Sequence, residues 1–170
     1  PVESSTIYAG TPGGIFKSTN AGGHWSAAST GMDGQSVLSL ALDRASPSTI
    51  YAGTAYDAMF KSSDAGATWV MANVGLAAVD VRVLAVDPAT PAKIYAGVLG
   101  GIFKSLDSGR SWTTAEVGLS DINVYSLAID PANPETLFAA TFGGGVFKST
   151  DGGGNWLPSN SGLTNPYVRA

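Results

Sequence analysis

The chain has 170 residues, of which 44% are hydrophobic and only 13% charged, with 22 glycines and 9 prolines. That length supports a sizeable core, and the low charge excludes a disordered segment while the glycine content fits a protein rich in strands and turns. A net charge of −4 excludes the basic footprint expected for nucleic acid or an anionic membrane surface. The absence of cysteine excludes disulfides and thiolate chemistry, and no apolar run approaches the length of a membrane-spanning helix.

Taken in order, the chain repeats one unit. Ile7-Tyr8-Ala9-Gly10 returns as Ile50-Tyr51-Ala52-Gly53, Ile94-Tyr95-Ala96-Gly97 and Leu137-Phe138-Ala139-Ala140. A Phe-Lys pair then leads into Ser18-Thr19-Asn20-Ala21-Gly22-Gly23-His24-Trp25, and the same phrase recurs as Ser62 to Trp69, Ser105 to Trp112 and Ser149 to Trp156. The pattern is Ser-x-Asp-x-Gly-x-x-Trp, with Asn20 in the place of Asp64, Asp107 and Asp151. Trp25, Trp69, Trp112 and Trp156 stand 44, 43 and 44 residues apart. A period of this size suits either helical repeats or four-stranded propeller blades. No stretch has a sustained helical period, whereas short β-rich runs alternate with Gly, Pro, Asn and Asp. The expectation is therefore all-β: a propeller of four-stranded antiparallel blades, with repeats over roughly 1–36, 37–80, 81–123 and 124–165 and residues 166–170 starting a further inner strand.

Within one unit, Val124 to Asp130 reads as the inner strand, Pro131 to Glu135 as a turn, and Thr136 to Thr141 as the second strand. Gly143-Gly144-Gly145 forms the next turn, Val146 to Ser149 starts the third strand, and Asn155-Trp156-Leu157-Pro158 starts the outer strand. The Asp of each phrase is expected to accept hydrogen bonds from the amides just after it, the Gly to supply a positive φ, and the Trp to bury its ring between layers with its indole N–H on a partner. The chain opens just before a second strand and stops inside an inner strand. The favoured expectation is that the repeats belong to a longer chain; closure as four blades and pairing of two copies into eight are the alternatives.

The Ser-x-Asp-x-Gly-x-x-Trp phrase resembles that of the Asp-box, or bacterial neuraminidase repeat, propellers over essentially the whole chain. That family includes sialidases, xyloglucanase-type glycosidases, sortilin-like ectodomains and photosystem II stability and assembly factors. The resemblance implies that Asn20, Asp64, Asp107, Asp151 and the four tryptophans are structural and lie away from the ligand face. It also implies a secreted, periplasmic or cell-envelope setting. The fold leaves function open, because function resides in sites carried on it.

A sialidase needs three arginines, a Tyr–Glu pair and an acid Asp, as the resemblance implies. Arg44, Arg82, Arg110 and Arg169 are the only arginines, and Arg44 and Arg110 fall at the wrong places. Asp33, Asp57, Asp80 and Asp121 fall in loops of the ligand face and are the candidates for a two-carboxylate glycosidase; as turn residues they equally satisfy local amides. His24 is the sole histidine, so no metal centre or cofactor is expected.

Positions that break the repeat mark a candidate binding rim. Ala55-Tyr56-Asp57-Ala58 replaces a Gly-Gly hairpin, Phe142 lies in the equivalent loop, and Arg82, Tyr125, Tyr167 and Arg169 lie near the starts of inner strands. Together with Asp121 they form a surface suited to a protein partner or to stacking on sugars. The resulting expectation is a non-enzymatic interaction module that binds a protein or assembly through its loop face. A carbohydrate-binding propeller and a glycosidase fragment are the alternatives, and a homo-oligomer that completes the ring is an added expectation.

Overall fold

In the computed structural model, residues 5–56, 59–76 and 80–170 are described. The described residues form fifteen strands and no helix. The first sheet holds β1 (Ile7–Thr11), β2 (Gly14–Ser18) and β3 (Ser26–Ala27). The second holds β4 (Val37–Leu42), β5 (Ile50–Thr54), β6 (Met59–Ser62) and β7 (Val70–Met71). The third comprises β8 (Val81–Val86), β9 (Ile94–Val98), β10 (Gly101–Ser105) and β11 (Thr113–Thr114). The fourth comprises β12 (Val124–Ile129), β13 (Leu137–Thr141), β14 (Gly145–Ser149) and β15 (Leu157–Pro158). All neighbours pair antiparallel in sequence order, and β1, β4, β8 and β12 make the contacts between sheets on the inner side. This is a run of four β-propeller blades, the first lacking an inner strand among the described residues.

The core lies between the blades. One apolar cluster joins Ile15 and Tyr8 of the first blade to Ile50, Ala52, Phe60 and Trp69 of the second. Another joins Tyr51 and Met59 to Leu84, Ile94, Ala96 and Trp112, and a third joins Tyr95, Ile102 and Ala115 to Leu137, Phe147 and Trp156. A blade two side chains thick cannot remove both faces from water by itself, so the hydrophobic gain is realised only when blades stack.

The Ser-x-Asp turns organise these seams. Ser62 Oγ accepts the amides of Asp64 and Gly66 and donates to Asp64 Oδ1. Asp64 then takes the amide of Thr68 on Oδ1 at 2.9 Å and its hydroxyl on Oδ2 at 2.6 Å. The expected bond from Asp to the amides just after it is thereby corrected: the serine holds the near amides and the carboxylate spans four residues. Asp107 with Ser111 and Asp151 with Asn155 repeat the arrangement. Hydrogen bonds from these side chains and amides hold all three carboxyls at about 2, against an ordinary 3.8. Asn20 keeps the amide of His24 at 2.7 Å and the Ser18 hydroxyl.

One further expectation is corrected. The tryptophans do not start the outer strands, which contain only the two residues that follow each of them. Their amides instead donate across the seam, Trp69 to Thr30, Trp112 to Val74 and Trp156 to Val117. His24 lies before the outer strand and is exposed. Each turn also carries a second left-handed residue before its glycine, namely Ala21, Ala65, Ser108 and Gly152, with φ between 56 and 66°. That conformation presents a carbonyl to the preceding blade. Ala65 O accepts Tyr8 Oη at 2.8 Å and Lys17 Nζ at 2.9 Å, and Gly152 O accepts Tyr95 Oη at 2.9 Å and Lys104 Nζ at 3.0 Å.

Candidate functional site

The inner strands open with a bulge. The pairing of β4 with β5 skips from Val37 to Ser39, that of β8 with β9 from Val81 to Val83, and that of β12 with β13 from Val124 to Ser126. The extra residues are Leu38, Arg82 and Tyr125. A bulge re-aims its side chain out of the strict in–out alternation, so one variable position per blade is presented at this end of the inner strands.

At the fourth blade Arg82 and Tyr125 join three further side chains in one patch. The Arg82 guanidinium lies 4.6 Å from the centre of the Tyr125 ring and donates to Asn123 Oδ1 at 2.7 Å. The Tyr125 ring is 5.6 Å from that of Phe142, Phe142 is 4.9 Å from Tyr167, and Arg169 stands 5.5 Å from Phe142. Both ring pairs are tilted and two of the three rings are capped by a guanidinium, geometries favoured by the ring quadrupole. Phe142 and Tyr167 also face each other in an antiparallel bridge.

The backbone beneath is fixed from both sides. Phe142 N donates to Asn123 O, Gly143 N and Gly145 N both reach Pro166 O, and Val168 N reaches Thr141 O. Asp121 accepts the Asn123 amide at 2.9 Å. Its side chain abuts the β13–β14 hairpin so closely that a Cβ on Gly144 would meet Asp121 Cβ at 2.8 Å. Asp121 thus lies beneath the patch, bonded within its own loop and packed against the hairpin.

The sequence-derived rim residues divide into three groups. Arg82, Tyr125, Phe142, Tyr167 and Arg169 come together, with Asp121 beneath. Tyr56 stands apart on the β5–β6 connection at the same end of the blades, 78% exposed, with φ at 79° and its amide on Asp80 Oδ1 at 3.3 Å. A positive φ on a bulky residue is strained backbone of the kind that collects at functional positions. Asp57 lies outside the described residues, and Asp33 is exposed on the loop after β3.

Chemically, the patch offers apolar ring faces bordered by cationic donors. Among the described residues, ion pairs are made only by Lys93, with Asp87 and Glu135, so neither arginine fork is neutralised by a carboxylate. Among those residues, too, no group of three or more His, Cys, Asp or Glu side chains is placed to hold a metal ion.

A second concavity went unforeseen. At the opposite end of the inner strands an open groove of about 850 Å³ is lined by Leu42, Arg44, Leu84, Val86, Asp87 and Ile129, among others. Asp43, Asp87 and Asp130 recur there at the blade period, each accepting two amides of its own turn. Their spacing was a readable signal.

These blades define a β-propeller whose variable side chains gather at one end of the inner strands. No family model matches the chain, and no curated protein matches it. Solved propellers do. An ancestral GH74 enzyme is 25% identical over 95% of this chain and 24% of its own, with a TM-score of 0.78. The extracellular domain of a one-component system from B. thetaiotaomicron is 17% identical over 98% of this chain and 23% of its own, at 0.75. YCF48 bound to D1 peptide is 20% identical over 92% of this chain and 50% of its own, at 0.64. The chain thus spans half or less of each of these structures.

Proposed function

We propose that this chain is a non-catalytic interaction module of the Asp-box propeller type, which binds a protein segment on the patch formed by Arg82, Tyr125, Phe142, Tyr167 and Arg169. The observation that carries this reading is the continuous stack of two guanidiniums and three rings across two blades and the segment that follows them. Rigid aromatics supply contact area at little entropic cost, and arginines supply N–H forks for carbonyl or carboxylate groups of a peptide. The similarity to a propeller bound to a peptide supports the class of partner. The likeness to an extracellular domain supports a setting outside the cytoplasm.

Selection from a random peptide library tests this reading. Peptides retained by the native chain are expected to lose at least tenfold in affinity with Arg82→Ala and with Tyr125→Ala, while thermal melting stays within a few degrees. Retention of full affinity by both variants overturns the assignment of the patch.

A glycan-binding reading has one observation of its own: the exposed Tyr56 ring on strained backbone. It requires glycan-array binding that disappears with Tyr56→Ala. The glycosidase alternative needs two working carboxylates, and Asp121 accepts the Asn123 amide of its own loop. Hydrolysis of xyloglucan abolished by Asp57→Asn would replace the non-catalytic reading.

A further inference from the structure

Three of the four Ser-x-Asp turns close on themselves. In the second, third and fourth blades the Oδ2 atom of Asp64, Asp107 and Asp151 is taken by the side chain four residues on. The Thr68 and Ser111 hydroxyls donate to it at 2.6 Å, and the Asn155 amide at 2.8 Å. Each carboxylate is thus matched by a donor. The first turn changes both members, with Asn20 in the Asp place and His24 four residues on. The Asn20 oxygen accepts the His24 amide at 2.7 Å and the Ser18 hydroxyl at 3.0 Å, which fixes the orientation of the side-chain amide. Its NH₂ group therefore stands where the other turns have the second carboxylate oxygen. Among the described residues, no hydrogen bond satisfies that NH₂ group or the His24 imidazole.

The unmatched pair borders a pocket. At the seam between the first and second blades, a surface pocket of about 370 Å³ is lined by Lys17, Asn20 and His24 on one side and by Ala65, Gly66 and Ala67 on the other, among others. Lys17 Nζ donates to Ala65 O at 2.9 Å, which uses one of its three N–H groups. Among the described residues, no acidic side chain lines this pocket. Asp64, next to the second wall, has both oxygens engaged by Ser62 and Thr68. Small side chains leave the space open. β3 is Ser26–Ala27 where β7 is Val70–Met71, and Ala67 stands where the next turn has Arg110.

From this exchange of an acceptor for donors we propose that the pocket binds a small oxyanion, held by Asn20 Nδ2, a ring N–H of His24 and the remaining N–H groups of Lys17. The anion supplies the acceptor that the first turn lacks. Imidazole offers one N–H when neutral and two when protonated, and a phosphate or carboxylate carries enough lone pairs for all three partners. The volume falls in the range of small-ligand pockets, so the oxyanion can be inorganic phosphate or the carboxylate of a single acidic sugar. The site is separate from the aromatic patch. Each Ser-x-Asp turn follows the third strand of its blade, whereas the patch gathers at the hairpin that precedes that strand, at the other end of the sheet.

The single histidine makes the test direct. Its imidazole gives one set of proton–carbon correlation signals in the nuclear magnetic resonance spectrum. These are followed while sodium phosphate or sodium glucuronate is added at fixed pH and ionic strength. A saturable shift is expected with at least one of the two, accompanied by the amides of Gly66 and Ala67. Saturation by phosphate alone assigns a phosphate group to the site, by glucuronate alone an acidic sugar, and by both places recognition in the oxyanion itself. Asn20→Asp rebuilds the turn of the other three blades, so the fold is retained, but it puts a carboxylate against the anion. It is expected to weaken binding at least tenfold. His24→Ser copies the residue of the third turn and is expected to weaken binding several-fold, read from the two amides. The absence of a saturable shift with either salt overturns the proposal, as does undiminished affinity in Asn20→Asp.

Discussion

Ser62 is 1% exposed and its hydroxyl makes three hydrogen bonds within one turn. Replacing it with alanine leaves the Asp64 and Gly66 amides without their acceptor in a place water cannot reach. Unmade buried hydrogen bonds are costly, so Ser62→Ala is expected to lower unfolding free energy by about 1–2 kcal/mol, measured by urea denaturation. The aspartates of these turns act at the surface and show themselves in pH dependence. A carboxyl held at about 2 in the folded chain and near 3.8 unfolded contributes stability above the upper value and loses it as pH falls through the lower. Melting temperature is therefore expected to fall steeply between about pH 4 and pH 2, and Asp107→Asn is expected to flatten that decline. The motif's residue types were legible because Ser, an Asp or Asn, and Gly each have a distinct part in such a turn. The left-handed Ala21, Ala65 and Ser108 were not, since alanine and serine carry no local sign of positive φ; the preceding blade's lysine holds the carbonyls of Ala65 and Ser108, joined by Tyr8 at Ala65.

At the scale of the blade, the sequence period revealed the strands, while the outer strand's brevity and the bulges stayed hidden. Both are set by the neighbour. Each tryptophan amide bonds the adjacent blade rather than its own ladder, which shortens the outer strand to the two residues after it. The bulge residues Leu38, Arg82 and Tyr125 differ in type because their side chains leave the packed layer, and that variability is what marked Arg82 and Tyr125 from the sequence. The seam makes a paired prediction. Trp156→Phe removes a buried ring edge and the bond to Ala115 O and is expected to cost about 2–3 kcal/mol. Trp25→Phe, on the open face, is expected to change the stability of the single copy by less than about 0.5 kcal/mol. Equal losses at both positions would mean that the indole acts within its own blade rather than across the seam.

At the scale of the whole chain, stability follows the number of covered faces. A stack of repeats gains most of its free energy from neighbour interfaces. Among the described residues, the second and third blades are covered on both sides, the fourth on one side with its inner strand flanked by the 166–168 segment, and the first on one side with no inner strand. Burial follows that order: β5 and β9 are buried at every residue, whereas β1 is buried at none. Amide hydrogen exchange at high dilution should then be slowest in β5 and β9, intermediate in β13 and fastest in β1, because opening the first blade sacrifices one seam and opening the third sacrifices two. Uniform protection along the chain would contradict this gradient and indicate all-or-none unfolding of the four blades.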